Sequence, residues 1–87
     1  MDSLEELEES LAVAKGNLAD LTHYRQIVLA EQMIKAGEAG AKSVAASETQ
    51  ARASEAYKSV VKALAEATEV EARLWFKYRR MARERGL

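Results

Sequence analysis

The chain has 87 residues, with 13 basic and 14 acidic side chains, one histidine, no cysteine and no proline. That length bounds it to one small domain near the lower limit for a private core, and the missing cysteine excludes disulfides and thiolate metal sites. Abundant Ala, Glu, Lys, Arg and Leu are the strongest helix formers, so the expected fold class is all-α.

Net charge is close to neutral but unevenly spread. Asp2, Glu5, Glu6, Glu8 and Glu9 open the chain, and Arg73, Lys77, Arg79, Arg80, Arg83 and Arg85 close it. Acids in a first helical turn and bases in a last one suit the helix dipole, while a basic tail also suits nucleic acid. The acidic start is unlike a signal peptide, and no uncharged apolar run is long enough to cross a bilayer. The expectation is a soluble, cytoplasmic protein with no membrane partner.

Ser3 followed by Glu6 makes a Ser-x-x-Glu capping box, which starts helix 1 near Leu4. Leu4, Leu7, Leu11, Ala14, Leu18 and Leu21 then repeat in alternating steps of three and four, the a/d seam of a coiled coil. Continuing that register puts Arg25 and Gln32 in the seam, whereas the apolar residues there are Tyr24, Ile27, Val28 and Ile34. A stammer near His23, with different packing from Tyr24 to Ile34, is therefore expected. Gly37 is the expected helix stop, since glycine adopts the left-handed conformation that closes a helix.

Ser43, Ser47 and Ser54 are candidate caps for the second helix, Ser47 having Gln50 at capping-box distance. Residues 43–53 are small and polar, and a break near Ser54 is expected before the main part of helix 2. From Tyr57 a seam resumes at Val60, Leu64, Ala67, Leu74, Tyr78 and Met81, with Glu71 as its polar member. The whole chain thus reads as a single helical hairpin over residues 1–87: helix 1 about 4–36, bend 37–42, helix 2 about 43–85. Folded antiparallel, it would set Leu4 near Trp75 and Leu21 near Val60 or Val61.

Val61, Thr68, Trp75 and Ala82 form a second line flanking the helix 2 seam, wider than one partner helix covers. This predicts a homo-oligomer, with a dimer that completes a four-helix bundle favoured. The core and interface are assigned to Leu4, Leu7, Leu11, Leu18, Leu21, Val61, Leu64, Leu74, Trp75, Tyr78 and Met81. Arg25, Glu31 and Glu71 interrupt the seams, where charges set register or partner choice; at least one is expected to pair across a subunit boundary.

Sites with chemistry are few. The bend Gly37-Glu-Ala-Gly40-Ala-Lys42-Ser43 has two intervening residues where a phosphate loop has four, and it comes after a helix instead of a strand. Asp20 and His23 share the i, i+3 spacing of di-metal bundle ligands but fall on outer c and f positions. With a single histidine and no thiol, acid-base and nucleophilic catalysis lack their usual parts, so no enzyme, metal or cofactor is expected. The segment from Arg73 to Arg83 interleaves aromatics with bases, and Arg73, Arg79, Arg80 and Arg83 share an outer face suited to nucleic acid.

The runs Tyr24-Arg-Gln-Ile-Val-Leu-Ala-Glu, Lys42-Ser-Val-Ala-Ala-Ser-Glu and Ala51-Arg-Ala-Ser-Glu-Ala-Tyr57, and the Ala/Glu/Arg-rich helix after them, resemble small helical proteins encoded by tailed bacteriophages. The resemblance covers most of the chain from Tyr24 onward and implies a phage or prophage origin, with the host cytoplasm as location, and a small oligomeric helical fold. It implies no activity for any residue. The expected function is a non-enzymatic, self-associating interaction or accessory protein. The alternatives are a nucleic-acid-binding accessory of phage replication or recombination, and an inhibitor of a host protein.

Overall fold

A computed structural model describes residues 3–86 of the chain. It contains three helices, α1 (Leu4–Glu38), α2 (Val44–Ala53) and α3 (Glu55–Glu84), and no strand among the described residues. The all-α hairpin is what the chain forms: α3 returns antiparallel along α1, and the molecule measures 60 × 18 × 14 Å. At 1.5 Å per residue the 35 residues of α1 span about 52 Å, so this helix sets the long axis.

Each helix begins on a serine. The Ser3 side chain accepts from the Glu6 N–H at 3.1 Å, and Ser43 accepts from Ala46 at 3.0 Å. Ser54 serves two helices at once, donating its hydroxyl to the Ala51 carbonyl of α2 at 2.7 Å and accepting from the Tyr57 N–H of α3 at 3.2 Å. Its extended backbone, with φ −68 and ψ 149, interrupts the helical hydrogen-bond ladder. Ser47 lies inside α2 and caps nothing.

Gly37 does not end α1. The helix runs one residue further, and Gly40 closes it with φ 111. The Gly40 N–H donates to the Gly37 carbonyl and the Ala41 N–H to the Ala36 carbonyl, the two bonds of a Schellman motif. That motif needs its left-handed residue one place beyond the cap, a place that Gly40 fills and Gly37 does not.

The expected stammer in α1 is also absent. Leu4, Leu7, Leu11 and Ala14 are buried, Leu18, Leu21, Arg25 and Gln32 are half-buried, and Val28 is buried. The seam therefore holds one register through Gln32, and Val28 belongs to that same register. Arg25 and Gln32 can lie in a half-wet seam because their long stems pack while their polar ends reach water. Tyr24, Ile27 and Ile34 stay outside, because a single partner helix covers a single stripe.

Val28, Tyr57 and Val60 form the buried cluster at the bend half, with Leu29 packed against it. At the other end the Tyr78 hydroxyl donates to the Glu8 carboxylate at 3.2 Å, and Lys15 stands 5.5 Å from the Trp75 ring centre. This register differs from the expected one. Val60 meets Val28, one heptad beyond Leu21, and Trp75 meets Lys15 instead of Leu4. Between the two long helices the chain forms α2, which packs mainly on α1 and only slightly on α3. Ala36 of α1 and Ala51 of α2 are both buried.

Candidate interaction surface

The a/d seams assign every other position to a face of the hairpin. In an antiparallel pair the g and c positions of both helices share one side, and the e and b positions share the other. On α1 the g/c side carries the apolar Val13, Tyr24, Ile27 and Ile34 among Glu6, Ser10, Asn17, Asp20, Glu31 and Glu38; on α3 it carries Ala63 and Val70 among Ser59, Glu66, Arg73, Lys77, Arg80 and Glu84. Tyr24 is 52% exposed and Ile34 64%, and Val13, Ile27 and Val70 are exposed with them. At the bend, Ile34 shares a shallow groove with Met33 and Val44, and Val44 is exposed as well.

The second line expected beside the helix 2 seam lies on the opposite, e/b side. Val61 and Trp75 are both 40% exposed, Thr68 is exposed and Ala82 is half-buried. This side is partly occupied by the hairpin itself. The Lys15 ammonium sits over the Trp75 ring, the ring stacks on Tyr78 at 5.9 Å and 15°, and Glu8, Leu11 and Ala12 complete the same groove. Of the other assigned core residues, Leu4, Leu7 and Leu11 are buried, and Leu18, Leu21, Leu64, Leu74, Tyr78 and Met81 are half-buried.

Charge is distributed by helix face. Among the described residues the ion pairs Arg52–Glu48, Lys58–Glu55 and Arg73–Glu69 each lie within one helix. Glu5, Glu6 and Glu9 of α1 and Arg79, Arg80 and Arg83 of α3 are exposed at the same end of the molecule and form no such pair there. All six occupy b, c or f positions, which point away from the hairpin seam, so the two helices cannot neutralise each other's outer charge.

Two polar links end on tyrosines, one joining α1 to α3 and one joining α2 to α3 across the break. Glu8 raises the Tyr78 pKa, chiefly through its charge, with burial and the hydrogen bond adding to it. Near the break, Arg52 donates Nε and Nη2 to Glu48 Oε1 at 3.0 and 2.7 Å and Nη1 to the Tyr57 hydroxyl at 2.9 Å. The hydrogen bond to Glu48 and then the Tyr57 oxygen raise the Arg52 pKa further above its ordinary value.

Phe76 lies in the aromatic and basic segment expected from the sequence but belongs neither to the assigned core nor to the assigned basic face. It is 63% exposed on the outer face of α3, with Arg73, Arg79, Arg80 and Arg83 at i−3, i+3, i+4 and i+7 around it. Its signal was legible: Phe76 falls at f, outside the seam that takes Leu74 and Tyr78. Asp20 and His23 are exposed, and no group of three or more His, Cys, Asp or Glu among the described residues is placed to hold a metal ion. No helix is long and apolar enough to cross a membrane among the described residues. No protein-family model, curated protein or solved structure matches this chain.

Proposed function

We infer that the protein is a non-enzymatic helical interaction module that self-associates, an accessory protein of phage type acting in a host cytoplasm. One observation carries the reading: the hairpin leaves more apolar surface outside than two helices can cover. Leu7 is the large side chain that is fully buried, whereas Val13, Tyr24, Ile27, Ile34 and Val70 stand in solvent on one side. Removing apolar surface from water is favourable by about 25 cal/mol per Å², and an exposed apolar patch on a small helical protein marks an interaction site. Packing two hairpins face to face produces a four-helix bundle, the simplest closed arrangement.

Sedimentation equilibrium over a wide concentration range, at low and high salt, tests this. The expected species has twice the 9.6 kDa mass of the chain. A monomer at every concentration would remove self-association and turn the search for what covers this face to host partners.

A second reading is favoured by Phe76. An exposed ring with arginines before and after it on the same helix face offers base stacking beside phosphate contacts, the combination used for single-stranded nucleic acid. It predicts single-stranded DNA binding that weakens steeply with salt and with replacement of Arg79, Arg80 and Arg83 by alanine. Phe76→Ala should weaken it independently of salt. Absence of binding to both single- and double-stranded DNA at low salt would eliminate this role.

A further inference from the structure

The outward charges say how two copies would fit. Glu5, Glu6 and Glu9 lie at the same end of the hairpin as Arg79, Arg80 and Arg83, yet on the outward face of a different helix. Of these, Glu6 and Arg80 share the c position, and they can meet across a molecular boundary where α1 of one copy lies on α3 of another with like ends together. The apolar residues select the side. On the g/c side, Glu6 and Arg80 occupy c positions at the charged end, Val13 and Val70 come next, and Tyr24, Ile27 and Ile34 continue toward the bend, with Asp20 and Glu31 among them. The e/b side already has Lys15 over Trp75.

We propose that a second copy of the chain docks on the g/c face about a two-fold axis parallel to the long axis, so that each α1 stacks on the other copy's α3. This rests on the self-association reading and specifies its geometry. In that arrangement Glu6 of α1 faces Arg80 of the second copy's α3, while Glu5 and Arg79, at b, lie on the opposite side and Glu9 and Arg83, at f, on the outer edge. The exposed apolar residues of the two copies close on one another behind those charges. The interface is isologous, so every such contact occurs twice. A two-fold axis perpendicular to the long axis instead stacks α1 on α1 and leaves Glu6 and Arg80 unmatched.

The absence of cysteine permits single-site spin labelling without a background label. Two variants of the full chain, Ala39→Cys at the bend and Arg85→Cys at the opposite end, are labelled and studied by pulsed dipolar spectroscopy alongside sedimentation. With helix axes about 8–10 Å apart in a bundle, like-ends docking places both label pairs within roughly 35 Å of their mates. Two short distances support the proposal. A dimeric mass with either distance beyond roughly 45 Å overturns this geometry while leaving self-association standing, because the bend and the charged end lie at opposite ends of a 60 Å molecule. A monomeric mass with no dipolar signal overturns both.

Charge exchange supplies an independent reading. Glu6→Arg and Arg80→Glu should each weaken the dimer about tenfold at low salt, since exposed pairs contribute little singly but each change acts twice. The double variant should recover most of the loss, and high salt should remove the difference. Failure of the double variant to recover affinity, with helical content unchanged by circular dichroism, would overturn the proposed contact.

Discussion

Arg52 donates from Nη1 to the Tyr57 hydroxyl at 2.9 Å and lies 5.6 Å from the centre of the same ring, joining α2 to α3 across the break at Ser54. Tyr57 is buried against Val28 and Val60. The break is therefore anchored in the hairpin core from one side and held by a guanidinium from the other. A kink supported in this way sets where α3 begins, and through that the register of the long helices.

Ser54→Ala tests whether the break is a cap or a flaw in a continuous helix. Loss of an N-cap serine costs about 0.5–2 kcal/mol, whereas alanine inside a helix would be stabilising by a few tenths of a kcal/mol. The sign of the change in chemical denaturation distinguishes them, and destabilisation is expected. Ser47→Ala, inside α2, should be neutral or slightly stabilising.

The glycines Gly37 and Gly40 should respond in opposite directions to alanine. Gly37 is helical with open space where a Cβ would go, so Gly37→Ala should stabilise by up to about 1 kcal/mol. Gly40 has φ 111, and a Cβ there adds strain of about 1–2 kcal/mol. Thermal melts of the two variants at one protein concentration decide the matter. Equal effects would mean that the Schellman turn does not form.

Burial grades the leucines of α1. Leu7 is 1% exposed, so Leu7→Ala should cost about 2–5 kcal/mol. Leu18 and Leu64 are half-buried in the hairpin and should cost less at low protein concentration. Ile27→Ala and Ile34→Ala, on the exposed side, should change stability by no more than about 0.5 kcal/mol in the monomer. At high concentration their cost should grow, because a dimer interface contributes to apparent stability by mass action. Melting temperature against concentration measures this directly.

Alkaline pH acts on the Glu8–Tyr78 link. The folded-state pKa of Tyr78 is raised, so its contribution is complete below the unfolded value of about 10 and is lost as pH rises through the higher folded value. A phenolate cannot donate to Glu8, and it repels the carboxylate. Melting temperature should fall from about pH 10 upward more steeply in the parent chain than in Glu8→Gln. Parallel curves would separate Tyr78 from the pH response.

The helices, their serine starts and most of the seam are legible in the order of residues alone, because these depend on local capping and on a period of three and four that runs through Leu4 to Leu21 and Tyr57 to Met81. Three features required the fold. Whether Arg25 and Gln32 or Tyr24, Ile27 and Ile34 faced inward depended on there being one partner helix, since one partner rewards a constant stripe and leaves the larger apolar set outside. The register, with Val60 beside Val28, could not be read in advance because the ten-residue α2 between the long helices is made of small residues that carry little pattern of their own. The outward stranding of Glu6 and Arg80 at one end came from both, because which charges can meet is decided by three-dimensional facing and not by their positions in the chain.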